Sequence, residues 1–155
     1  GTCVSVRDLF YNVPARRAFL KSPATEFKHL VETFQSLALS HPAVAFALVH
    51  DGTDVYRLPA STLAGRLADL FGADLDGALV PVAEATSYLS VRGLVGRPAR
   101  ARRVRGEQYL FVNGRFVKSR PLDHAVAAAY GALLPEKSHA LSVLFLDVDP
   151  RHVDV

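Results

Sequence analysis

Methionine and tryptophan are absent from this 155-residue chain, and cysteine occurs once, at Cys3. A single cysteine excludes an internal disulfide framework and fits a reducing compartment. No apolar run approaches the roughly 20 residues of a membrane span. No basic head followed by an apolar core marks a secretory signal. The expected location is therefore the cytoplasm. The opening Gly-Thr-Cys-Val has no initiator methionine and reads as the inside of a strand, pointing to a segment of a longer protein. No glycine-rich phosphate loop is present, and Gly93-Leu-Val-Gly96 lacks the strand–helix context that one requires. The six histidines show no metal-ligand spacing. Asp147 and Asp149 share a strand face but border a turn, so they read as solvated or capping groups. Nucleophilic catalysis has no support beyond the bare presence of Ser, His and Cys, so an enzyme complete in itself is disfavoured.

What is present is a globular composition, half hydrophobic and 21% charged. The net charge of +3 is unevenly spread. Residues Arg92 to Arg120 hold nine basic residues and one acid, a net of +8; the remainder holds nine basic and fourteen acidic residues, a net of −5. That asymmetry points to an anionic partner for one face, nucleic acid first. Arg97, Arg100, Arg102, Arg103 and Arg105 crowd into nine positions. Their forked donors suit phosphate oxygens, and a flexible solvated loop is the alternative.

The pattern of elements is mixed. Thr2–Val6 alternates as a short strand, and Asp8–Arg17 is irregular and aromatic. Ser22-Pro23 starts a helix with Phe27, Leu30, Val31, Phe34, Leu37 and Ala38 on one face, and His41-Pro42 stops it. Val44–Val49, the turn Asp51-Gly52 and Asp54–Leu58 form a hairpin. Leu58-Pro59-Ala60 is the expected domain boundary, giving segments 1–58 and 59–155. Ser61 is expected to cap a helix facing inward through Leu63, Leu67, Leu70 and Phe71, which Gly72 ends. Ala78–Ala83 and Tyr88–Val95 read as an antiparallel pair, and Gly96–Gly106 as a loop or long hairpin tip. Tyr109–Val112 is a strand, Asn113-Gly114 a tight turn, and Pro121 sets the first turn of a helix with Leu122, Ala125, Val126, Ala129, Tyr130 and Leu133 on its inner face. Between that strand and helix lie Arg115, Lys118 and Arg120, a basic connection on a rigid scaffold. Ala140–Val148 reads as a buried strand, Asp149-Pro150 as a turn, and Val153–Val155 as the start of another strand. Helices among antiparallel strands make the class α+β.

Three stretches carry a resemblance. Gly1-Thr-Cys-Val followed by Leu9-Phe-Tyr-Asn-Val-Pro-Ala-Arg16 resembles the GT-x-V strand and LFYN-x-PAR segment of the MutL mismatch-repair family. Gln108-Tyr-Leu-Phe-Val-Asn-Gly-Arg115 resembles its Q-x-x-FVNGR, and Asp149-Pro-x-x-Val153-Asp-Val155 the start of its DP-x-x-VDV segment. The resemblance implies that residues 1–58 end a GHKL-type ATPase domain. It implies that residues 59–155 are most of a transducer domain of the ribosomal-protein-like type, with a left-handed βαβ crossover. The parent would bind ATP and Mg, hydrolyse ATP weakly and dimerise. It would link a MutS-type mismatch-recognition partner to downstream strand processing, in the bacterial cytosol or nucleoid. Thr2 becomes the one candidate near ATP. Arg115, Lys118 and above all Arg120 become candidates for a DNA-binding groove, while a DNA role for the 97–105 arginines rests on charge alone. The family's magnesium and general-base motifs would lie before Gly1 and its phosphate-reaching lysine after Val155, so no hydrolysis is expected of this stretch by itself. Val13 stands where the family often has Thr. The alternative function is a protein-interaction relay without direct DNA contact.

Overall fold

The computed structural model describes residues 1–75, 77–149 and 151. It separates into two compact units, residues 1–34 and 35–155, dividing within one helix.

In the first unit, residues 1–7 form no strand and are exposed. The alternation at Thr2–Val6 is therefore not enough. A strand needs a neighbour to take up its N–H and C=O groups, and among the described residues none pairs with it. The aromatic segment turns on itself, with Asp8 at φ 50° and Phe10 at φ 64°. It then forms one helical turn, α1 (Pro14–Arg17), that composition did not announce. Helix α2 (Pro23–Ser40) starts as Ser22-Pro23 predicts. The Ser22 carbonyl accepts from Thr25 and Glu26, and Lys21 N–H donates to Glu26 Oε1 at 2.7 Å. The expected inner face of α2 holds at Phe27, Val31, Phe34 and Ala38, which are half-buried or buried, and changes at Leu30 and Leu37. Leu30 and Leu37 stand about half exposed, at 48% and 49%, whereas Ser36, Ala38 and Leu39 are buried. A helical stripe fixes spacing but not which of two neighbouring stripes turns inward.

In the second unit, β1 (Phe46–His50) and β2 (Thr53–Leu58) form a hairpin. Its two-residue turn takes Asp51 to φ 48° and Gly52 to φ 75°, the left-handed pair that matches strand twist. Helix α3 (Leu63–Phe71) is capped by Thr62, not Ser61. Thr62 Oγ1 sits three residues before Gly65 and accepts its N–H at 3.1 Å, while Ser61 N–H is committed to the Pro42 carbonyl. Gly72 ends the helix at φ 113°.

The remaining strands are β3 (Leu79–Ala85), β4 (Leu89–Gly96), β5 (Gln108–Val112), β6 (Arg115–Val117) and β7 (Ser142–Val148). They form one sheet in the order β3-β4-β7-β5-β6. All neighbours are antiparallel except β5 and β7, which are parallel and joined through β6 and helix α4 (Arg120–Tyr130). Because β7 is central, its apolar run is nearly continuous. On one sheet face Tyr109, Phe111, Val143 and Phe145 pack with Leu39, Leu67 and Leu75. Phe111 stacks on Phe145 at 4.8 Å, and Tyr109 meets Phe71 at 6.0 Å and Phe116 at 5.8 Å. A polar chain crosses this layer: Tyr109 OH donates to Gln35 Oε1 at 2.8 Å, and Gln35 Nε2 donates to Tyr56 OH at 3.0 Å. Gly93 lets β4 approach β7: a Cβ there would lie 2.0 Å from the Val143 carbonyl oxygen.

One further expectation changes, on helix α4, and the choice left open for Gly96–Gly106 is resolved. No residue of α4 is fully buried. Its half-buried positions are Leu122, Val126 and Tyr130, continued by Leu134, whereas Ala125, Ala129 and Leu133 face out. The inner stripe is thus a single i, i+4 row. Gly96–Gly106 is a loop and not a hairpin tip, since β4 and β5 are not neighbours. It makes one 3-10 turn at Pro98–Arg100 and a bridge between Arg102 and His139. Asp147 faces Arg92 at 3.6 Å. Pro150 and the strand expected at Val153–Val155 lie outside the described residues.

Candidate nucleic-acid interface

The basic connection is built from strand, turn and cap. Asn113 and Gly114 take φ 48° and 78°, so β5 reverses into β6 in two residues. Asn113 does more than turn. Its side-chain amide donates to the Val148 carbonyl at 3.0 Å and accepts the Val148 N–H at 2.8 Å. Its backbone N–H reaches the Leu146 carbonyl at 2.8 Å. The hairpin tip is thereby fixed to the central strand. Ser119 then caps α4, accepting the Leu122 N–H and, through its carbonyl, the Asp123 N–H at 2.9 Å.

This frame leaves Arg115, Lys118 and Arg120 exposed along one short path. Arg115 opens β6, Lys118 follows it with its ammonium 6.0 Å from the Phe116 ring, and Arg120 is the first residue of α4. An arginine at a helix N-terminus sits at the positive end of the macrodipole, where its own charge is disfavoured and an anion is doubly attracted.

The arginine loop divides by partner. Arg97 Nε donates to the Gly77 carbonyl at 3.1 Å. Arg100 pairs with the Asp74 carboxylate and carbonyl. Arg102 pairs with Glu107 at 2.6 Å, and Arg105 Nε reaches His139 Nε2 at 3.3 Å. Arg103 is exposed. Asp74, Gly77 and His139 are distant in sequence, so charge density alone could not reveal these partners. Arg105 and Arg120 come together at a cavity of about 430 Å³ between α4 and the 134–140 segment. Its wall includes Tyr130, whose hydroxyl donates to the Gly96 carbonyl at 2.7 Å and whose burial raises its pKa above the ordinary phenol value. Arg151, hydrogen-bonded to Asp149, holds that carboxyl below its usual range.

Sequence reasoning missed Arg66. It lies on α3 among the expected apolar positions and is 0% exposed. Its Nη2 donates to the carbonyls of Pro42, Val44 and Pro59 at 2.9, 2.8 and 2.7 Å. It ties α3 to the segments flanking the β1–β2 hairpin. A charged residue in a helix reads as exposed, and the only hint was its place between Leu63 and Leu67.

Thr2 is exposed within the irregular residues 1–7. Among the described residues no group of three His, Cys, Asp or Glu could hold a metal ion.

A family profile described as DNA mismatch repair protein, C-terminal domain, matches residues 67–155. The MutL mismatch repair protein of Christiangramia forsetii is 44% identical over all 155 residues. That of Flavobacterium johnsoniae is also 44% identical over the whole chain. The chain spans about a quarter of the length of these relatives. Among solved structures, the Aquifex aeolicus MutL ATPase domain complexed with ADP aligns with TM-score 0.70 and 28% identity, over 94% of this chain and 52% of that one. Another structure of the ATPase domain of Aquifex aeolicus MutL, a bacterial mismatch repair endonuclease, gives 0.71 and 26% over 97% and 54%. The α+β fold is shared with these ATPase domains, and the chain belongs to the MutL family of DNA mismatch repair proteins.

Proposed function

We propose that this chain is the stretch of a MutL-type factor where a nucleotide-dependent, dimerising ATPase half meets a DNA-holding half. Residues 1–58 are assigned to the end of the ATPase domain and 59–155 to the transducer. The whole protein, working as a homodimer in the bacterial cytosol, links a MutS-type mismatch-recognition partner to downstream strand processing. Nucleotide and magnesium are held chiefly by parts of the protein other than this stretch. The observation that carries the DNA role is the exposed basic path Arg115–Lys118–Arg120, fixed by the Asn113 amide and ending at a helix N-terminus. Phosphate contacts of this kind give affinity without sequence preference.

The test is Arg120→Glu, measured as DNA retention across a salt series. The variant should bind more weakly, with a salt slope reduced by about one. Unchanged affinity and slope would remove DNA from this connection. The competing reading, a relay that touches only protein partners, draws on the arginine loop, where Arg97, Arg100, Arg102 and Arg105 all have acceptors within the chain. It predicts that same unchanged slope.

A further inference from the structure

The cavity beside α4 is preformed. The 134–140 segment that makes its far wall is pinned from three directions. Arg102 and His139 exchange backbone hydrogen bonds at 2.9 and 2.7 Å. Gln108 Nε2 donates to the Ala140 carbonyl at 3.0 Å. Arg105 Nε meets His139 at 3.3 Å. The cavity's charge is one-sided: Arg105, Arg120 and Lys137 line it against a single carboxylate, Asp123. His124 and His139 also line the cavity, with His139 Nε2 engaged by Arg105 at 3.3 Å.

A second observation concerns Lys137. Its backbone sits at φ 57°, a left-handed conformation that a lysine adopts at a cost and that glycine would take freely. Lys137 lines the same cavity as Arg105 and Arg120, at the third position of a turn that the Ser138 N–H closes on the Pro135 carbonyl at 3.1 Å. Val126, Ala127, Tyr130 and Leu134 give the cavity an apolar and aromatic side, and Gln108 and Ser138 are polar. Its size is that of a site for a small molecule or a single nucleotide unit, not for a duplex.

We propose that this groove is a phosphate subsite that continues the basic path beyond Arg120. In it a phosphodiester of the bound DNA strand is taken up by Arg105, Arg120 and Lys137. The inference rests on the DNA reading above and deepens it: of the five loop arginines it selects Arg105, and it adds Lys137, which lies outside the charged run.

The experiment uses the full-length protein, a labelled oligonucleotide and a salt series, with Arg105→Glu, Lys137→Glu, Lys137→Gly and Arg120→Glu. Lys28→Glu, an exposed charge reversal on α2, is the charge-matched control. Lys137→Gly relieves the strained backbone while deleting the cation, so loss of fold cannot explain its effect. Arg105→Glu, Lys137→Glu and Lys137→Gly should each lower the salt slope by about 0.7 to 0.9, one contact's worth. Lys28→Glu should not. If Arg120→Glu weakens binding but the Arg105 and Lys137 variants do not, the groove proposal is overturned and the DNA reading stands. If none of them changes the slope, both are overturned. An equal drop with Lys28→Glu would assign the effect to net charge and also overturn the groove. A parallel titration with inorganic phosphate separates sources: competition with DNA that is lost in Lys137→Gly shows that the groove takes phosphate whatever carries it, and supports the subsite.

Discussion

Removing the Arg66 guanidinium should cost the fold more than removing any surface arginine. The side chain is fully buried, and one nitrogen, Nη2, faces three carbonyls. That nitrogen has two protons, so the three acceptors share two bonds. Its partners are carbonyl dipoles and the Phe46 ring, whose centroid lies 5.7 Å from Cζ. In Arg66→Met the Pro42 carbonyl keeps the Ser61 N–H at 2.9 Å, so the loss falls on Val44 and Pro59. Val44 and Pro59 are exposed residues whose carbonyls water can reach in part, so the two lost donors cost about 1–3 kcal/mol together. Against this, methionine removes a buried charge whose desolvation was incompletely offset, since Nε and Nη1 have no hydrogen-bond partner among the described residues. The net expectation is about 1–2 kcal/mol for Arg66→Met, with Arg66→Ala worse because a cavity is added. Arg66→Lys, which keeps three donor protons, should fall between wild type and Met. Urea unfolding followed by circular dichroism measures this, with the m-value checked for constancy. A methionine variant within about 0.5 kcal/mol of wild type would refute the reasoning, since that is the range of an ordinary surface substitution.

Two other substitutions follow from the backbone. Gly93→Ala would set a Cβ 2.0 Å from the Val143 carbonyl oxygen and 3.0 Å from the Leu144 Cα, at φ 151°. Neither atom can swing aside, so thermal unfolding should show a loss of about 2–5 kcal/mol. Asn113→Ala should lose both amide contacts with Val148 and strain a left-handed position, about 2–3 kcal/mol, while Asn113→Gly keeps the turn and should cost about 1 kcal/mol less. Equal losses in the two Asn113 variants would show that conformation plays no part there.

The elements most legible in the sequence were those whose signal is local. Asp51-Gly52 and Asn113-Gly114 announce themselves because few residue pairs accept two left-handed conformations. The Ser22-Pro23 start, the Gly72 stop and the run Ala140–Val148 are likewise decided within a few residues. What could not be read depends on partners far along the chain. Thr2–Val6 alternates but finds no neighbouring strand among the described residues. Leu37 and Leu133 have helical spacing yet face out, because the stripe that turns inward is chosen by what lies opposite. Arg100 looked like one of five equivalent cations until Asp74 appeared beside it. Arg66 looked like solvated charge and is buried. The basic path itself was visible, but its extension to Lys137 was not, since only the fold of the 134–140 segment brings that residue beside Arg105 and Arg120.

The central claim is that the connection after the Asn113-Gly114 turn meets DNA. Amide hydrogen exchange of the full-length protein, on the short times suited to a helix N-terminus, with and without a DNA duplex, tests it most directly. The account predicts slowed exchange across Gly114–His124, with the β1–β2 hairpin turn at Asp51-Gly52 unchanged. Protection elsewhere, with Gly114–His124 exchanging as in the free protein, would contradict it.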